Sequence, residues 1–238
     1  MSRSRTTTGR KPPVRRAGPG KDRATAPGRH LAAILSADVV GFSRLMSGDE
    51  AGTVRALKAG HALFAERVAA SGGRMVDTSG DALLAEFPSA SDAVACALQT
   101  QDELARREQD VPEDRRMRYR IGINLGEVLD DGATLFGDGV NVAARLEAIA
   151  EPGGVCVSGK VFDEVDGKLG VAFEFVGDQA LKNIPNPVRV YRCSPAPPLA
   201  LRVLGELEIW RGGRRRELPQ SEKSRPRLAY LAVSQRPQ

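Results

Sequence analysis

"LAAILSADVVGFSRL", residues 31–45, decides how the chain is read. Its apolar run reads as a buried strand. Asp38 stands near the end of that run. A lone carboxylate is expensive to bury unless something pairs with it. "VVGFS" (39–43) follows at once and reads as a turn into a helix entrance. The question is therefore what sits against Asp38.

Outward from this strand, strand-like and helix-like patterns alternate from residue 30 to about 195. From Asp49 to Ala70, Val54, Leu57, Leu63, Phe64 and Val68 recur at helical spacing, and "SGG" ends the helix. "RMVDTSGDALLAEF" (74–87) is two short strands about a tight Ser79-Gly80 turn. Ser89 or Ser91 caps the next helix, whose apolar face includes Ala93, Val94, Ala97, Leu98 and Leu104. "RYRIGINLGEVL" (118–129) is a strand, and "DGVNVAARLEAIA" (138–150) is a helix closed by Pro152-Gly153. "GGVCVS" is a strand, "VFDEV" a short helix, and "VAFEFVG" and "VRVYRC" are final strands. The order β-α-β-β-α-β predicts an α+β fold with a ferredoxin-like core and additional strands and helices.

Composition sets the class. The chain has 238 residues, 41% hydrophobic and 27% charged, as in a soluble globular protein. No apolar stretch approaches the ~20 residues of a membrane helix. The N-terminus lacks the apolar core of a secretory signal. Cys96, Cys156 and Cys193 are odd in number and widely spaced, which gives neither a disulfide framework nor a zinc pattern. A reducing cytoplasm is the simplest compartment, with no membrane partner.

Charge divides the chain. Residues 1–29 carry nine Lys/Arg and one Asp, and residues 199–238 carry nine Lys/Arg and four Glu. The whole chain is +5, so the segment between these basic ends is net −8 and needs cations to hold a polyphosphate. Residues 1–29, rich in Arg, Pro, Gly and Thr, bury too little surface to offset ordering entropy and are expected to be a disordered basic tail. Weak contact of such tails with nucleic acid is the sharper reading, and a solvated tail the plainer one. Residues 195–198 are a stiff Pro-rich linker. Beyond it, apolar and polar residues alternate around Gly212-Gly213 as a hairpin, and "SRPRLAYLAV" starts a helix.

Three stretches carry the candidate chemistry. Asp81, in the turn of "SGDALLAEF", belongs to a hairpin that a β-α-β-β core lays beside the first strand. Asp38 and Asp81 then converge at one sheet end. Unpaired, they repel, and one is protonated; with divalent cations between them both ionise. Oxygen ligands suit Mg²⁺. The plain alternative is that each Asp caps a turn. In "VVGFS", successive backbone N–H groups at Gly41, Phe42 and Ser43, with the Ser43 hydroxyl, favour phosphate. In "GDGVNVAARLE", Asn141 and Arg145 are i and i+4, sharing one helix face suited to a sugar and a phosphate, or simply to solvent.

Together "ADVVGFS", "SGDALLAEF" and "LFGDGVNVAARLE", in this order, resemble the class III adenylate/guanylate cyclase catalytic domain, over about residues 30–194. "ALKNIPNPVRVYRC" resembles that family's closing strand pair. The resemblance implies two Mg²⁺ or Mn²⁺ ions per site, held by Asp38, Asp81 and the backbone carbonyl of Val39. It implies that Asn141 orients the ribose, that Arg145 stabilises charge on phosphorus, and that Lys182 reaches the triphosphate. It implies a homodimer with shared sites, ATP as substrate and cyclic AMP and pyrophosphate as products. The base-selecting pair departs from the family pattern. Thr134 fits its position, but Asp77 stands where adenylyl cyclases usually have Lys. A carboxylate there accepts from the adenine amino group, or from guanine N1–H and N2–H, or adds a like charge that abolishes binding. A GTP-using cyclase and a weakly catalytic, nucleotide-sensing module therefore stand as alternatives. Residues 199–238 resemble the opening of a bacterial activator-type winged-helix domain, whose recognition helix would lie beyond Gln238.

Overall fold

The computed structural model describes residues 28–195, 199–202, 208–211 and 214–216. Its strands and helices follow the expected alternation: β1 (Gly28–Val39), α1 (Phe42–Gly48), α2 (Glu50–Ala70), β2 (Arg74–Asp77), β3 (Leu83–Phe87) and α3 (Ala90–Arg107). Then come β4 (Tyr119–Asp130), β5 (Leu135–Phe136), α4 (Asp138–Ile149), β6 (Val155–Ser158), α5 (Gly159–Val165), β7 (Val171–Gln179) and β8 (Val188–Pro195). The sheet order is β2-β3-β1-β4-β6-β8-β7, with β5 also on β4. Its first four strands have the antiparallel order of a ferredoxin-like core, and only β4–β6 is parallel.

β1 and β4 form the spine. They pair without a break from Gly28↔Asp130 to Val39↔Tyr119. The strand therefore starts before the apolar run, because ladder hydrogen bonds do not need apolar side chains. Its middle is buried on both faces, which explains a continuous apolar run where a one-sided strand would alternate. Leu35, Ala37 and Val39 face one core with Phe64, Val94, Tyr119 and Ile121, under α2 and α3. Phe64 meets Tyr119 edge to face at 5.1 Å. Ala32, Ile34 and Val128 face the other way, against Ala143 of α4.

Of the two cap candidates, Ser89 is the one used: its hydroxyl accepts from the Asp92 N–H at 3.4 Å. A short helix, α1, precedes the one that the periodicity marks. α1 ends at Gly48, and Asp49 caps α2 by accepting from the Gly52 N–H at 2.8 Å.

α4 lies unusually close to the sheet. A Cβ on Gly122 would stand 2.2 Å from the Ala143 carbonyl oxygen and 2.2 Å from the Glu147 nitrogen. Only glycine lets the helix backbone settle there. Buried Asn124 donates from Nδ2 to the Gly139 carbonyl at 3.0 Å and fixes the start of the same helix.

A separate three-stranded antiparallel sheet contains β9 (Leu199–Arg202), β10 (Glu208–Arg211) and β11 (Arg214–Arg216). Arg211↔Arg214 brackets Gly212-Gly213, as expected of a hairpin. The basic tail up to residue 27, linker residues 196–198 and the helix expected from residue 224 lie outside the described residues.

Gly122→Ala should lower stability by about 1–3 kcal/mol, the usual range for overpacking a well-filled core. The urea midpoint should fall accordingly. An unchanged midpoint would mean that α4 does not rest on the β4 backbone as described.

Candidate active site

Asp38 lies at the end of β1, directly opposite Arg120 of β4. The Arg120 Nη2 is 3.3 Å from Asp38 Oδ2 and 3.6 Å from Oε1 of Glu147 on α4. The Ser36 hydroxyl donates to the other Glu147 oxygen at 3.5 Å. Asp81 follows the Ser79-Gly80 turn of the β2–β3 hairpin, where the Ala82 N–H donates to the Ser79 carbonyl at 3.2 Å. Burial raises the Asp38 pKa, and so does the nearby Asp81 charge, while Arg120 opposes both. The two carboxylates thus converge, and Arg120 is the cation that sits against Asp38.

Glu147 is the most perturbed carboxylate of the group. Burial and the Asp38 charge push it up to about 7, against the pull of Arg120. His61 of α2 also feels Asp81, but burial prevails and lowers its pKa.

The donor set fits a hard divalent cation. Asp38 and Asp81 offer carboxylate oxygens that repel one another without a cation between them. Val39 has a hydrocarbon side chain, so only its backbone carbonyl could contribute. Among the described residues, no group of three or more His, Cys, Asp and Glu gathers as a metal centre. Two carboxylates leave positions for water and phosphate oxygens, as Mg²⁺ prefers.

Three of the phosphate candidates, Gly41, Phe42 and Ser43, stand at the start of α1, and the fourth, Lys182, lies in the turn between β7 and β8. Gly41 caps it with φ +65°, a conformation that disfavours side chains. The Phe42 ring packs on the core, so only its backbone can face a ligand, whereas Ser43 is exposed. Lys182 is exposed in a tight turn, between buried Leu181 and Asn183 at φ +66°.

Asn141 and Arg145 share the solvent face of α4, while Val142, Ala143 and Leu146 hold the helix to the sheet. Among the described residues, no hydrogen bond or ion pair links either to Asp38 or Asp81. Asp77 is exposed and pairs with Leu84 after a bulge at Val76, in line with Ser36 on β1. Thr134 is half-buried in the turn before β5, its N–H donating to Asp131 Oδ1 at 2.9 Å. Arg74 of β2 reaches Asp130 at 2.8 Å and ties β2 to that turn.

A family model described as "Adenylate and Guanylate cyclase catalytic domain" matches residues 26–192. The chain belongs to this family. It is 45% identical over 168 residues to the protein named "Putative adenylate cyclase 3" of Rhizobium meliloti (strain 1021), covering 70% of this chain and 29% of that protein. The chain thus spans under a third of that relative. A crystal structure of an adenylate/guanylate cyclase/hydrolase from Silicibacter pomeroyi has a TM-score of 0.67 at 43% identity, covering 71% of this chain and 99% of that one. The guanylyl cyclase Cya2 has a TM-score of 0.61 at 24% identity, covering 71% and 94%, and shares the fold. No helix among the described residues is long and apolar enough to cross a membrane.

Arg120 and Glu147 are site residues that sequence patterns did not single out. Their signal is register: Arg120 becomes visible only when β4 is set antiparallel against β1, with Asp38 as its cross-strand partner.

The raised Glu147 pKa predicts a pH effect with a definite sign. In the folded chain Glu147 holds its proton above its ordinary value of 4.5, up to about 7. Its contribution to stability is present below pH 4.5 and is lost as pH rises through 7. Denaturant titrations in EDTA at pH 5 and pH 8 should show this loss in the native chain. Glu147→Gln should reduce it by an amount of up to about 3 kcal/mol, at 1.36 kcal/mol per pKa unit. An equal loss in both proteins would show that Glu147 titrates normally.

Proposed function

We propose that the chain is a nucleotidyl cyclase that converts ATP to 3′,5′-cyclic AMP and pyrophosphate, with each site shared between two copies. One observation carries this reading: α4 turns Glu147 toward its own chain's carboxylate pair and turns Asn141 and Arg145 out to solvent. One chain supplies Asp38 and Asp81, and its partner supplies Asn141 and Arg145. Two complete sites then form in a homodimer and none in a monomer.

In this reading Asp38, Asp81 and the Val39 carbonyl hold Mg²⁺ or Mn²⁺. The bound cations supply Lewis-acid polarisation of hydroxyl and phosphate oxygens. Gly41, Phe42 and Ser43 offer backbone N–H groups to the triphosphate, Lys182 offers its ammonium, and Arg120 adds a guanidinium at the carboxylate rim. Asn141 orients the ribose so that its 3′-oxygen lies in line with the α-phosphorus. A new O3′–P bond forms there, the bond to pyrophosphate breaks, and the hydroxyl proton passes to solvent water. Arg145 stabilises the charge that gathers on the phosphoryl oxygens, an electrostatic contribution.

A second reading has one specific support. Asp77 is exposed and acidic where a donor to adenine N1 would be expected. Its carboxylate can accept from guanine N1–H and N2–H, so GTP is the alternative substrate.

Two experiments test these readings. An Asp81→Asn chain and an Arg145→Ala chain, each inactive alone, should recover activity when mixed, since each heterodimer holds one intact site. Heterodimers that form and stay inactive would refute shared sites. For the base, Asp77→Lys should shift the ATP:GTP ratio of kcat/KM toward ATP by about tenfold or more, the effect of one mismatched hydrogen bond. An unchanged ratio would mean that position 77 does not face the base.

A further inference from the structure

We propose that Glu147 is a positioning residue that receives the Arg120 guanidinium when Asp38 takes up a divalent cation. The inference rests on the reading of Asp38 and Asp81 as cation ligands. A single nitrogen, Arg120 Nη2, stands between the two carboxylates, 3.3 Å from Asp38 and 3.6 Å from Glu147. The Arg120 Nε is buried without a hydrogen-bond partner. The guanidinium is therefore not locked in the bidentate fork that gives arginine–carboxylate pairs their strength. It is poised between two acceptors on different elements, β1 and α4.

A divalent cation on Asp38 changes the balance. It takes the oxygen lone pairs that Arg120 now faces, and its charge repels the guanidinium. A half-buried cation set loose beside another cation needs an anion within reach. Glu147 is already there, with a side chain only 12% exposed and its far oxygen held by Ser36. Moving Arg120 toward Glu147 clears Asp38 and keeps the guanidinium paired. It also connects the occupancy of Asp38 to α4, the helix that carries Asn141 and Arg145.

Binding of Mn²⁺ alone to the purified full chain tests this, read as loss of the free-ion electron paramagnetic resonance signal at pH 8. Asp38→Asn should weaken binding about tenfold or more, as expected for a lost ligand. Glu147→Gln should weaken it about threefold to tenfold, because Arg120 then stays on Asp38. Glu147→Asp, which keeps the carboxylate, should stay closer to the native value. Arg120→Gln should tighten binding, and adding Glu147→Gln to it should change little, as a double-mutant cycle requires of residues that act through one another.

Equal weakening by Glu147→Gln with and without Arg120 would show the Glu147 charge acting directly on the ion and would overturn the exchange. Unchanged affinity in Glu147→Gln would make Glu147 a mere anchor of α4 and would overturn it as well. Native-like binding by Asp38→Asn would refute the ligand assignment itself, and the proposal with it.

Discussion

Two carboxylates brought to one end of a sheet are the constraint on which the rest depends. Asp38 is raised by burial and by Asp81, and one guanidinium, Arg120, answers both effects. Among the described residues, Arg120 is the cation paired with Asp38 and Glu147, and with Asp81 beside them the site remains short of cations. That shortage suits it to divalent metal and to the basic residues that would accompany a polyphosphate. The negative balance of the central segment makes the same point at the scale of the domain.

The second constraint is backbone proximity. Gly122 lets α4 rest on β4, and Asn124 ties its first turn. A helix held this tightly cannot roll, so the direction of each side chain is set. Glu147 faces the sheet end, and Asn141 and Arg145 face away. Because Asn141 and Arg145 face away from Asp38 and Asp81, the proposed reading draws them from a second copy of the chain.

Much of this was legible in the sequence. The β1 run, the hairpin at Asp81 and the helix of Asn141 and Arg145 announce themselves through period and turn chemistry, and these patterns place the three motifs correctly on the fold. What escaped is what depends on register. Nothing local marks Arg120 as the partner of Asp38, since 82 residues separate them. Glu147 reads as an ordinary helical Glu until Gly122 brings its backbone onto the strand. The extension of β1 to Gly28 is likewise invisible, because it rests on pairing with β4 and not on apolar side chains.

We propose that no single chain holds a complete site. Specific activity as a function of protein concentration tests it most directly, with cyclic product measured from ATP and from GTP in Mn²⁺ and size measured in parallel. On this account, activity per chain rises with concentration through the monomer–dimer transition and levels off once the dimer predominates. Constant activity per chain, down to concentrations at which sizing shows only monomer, would contradict it.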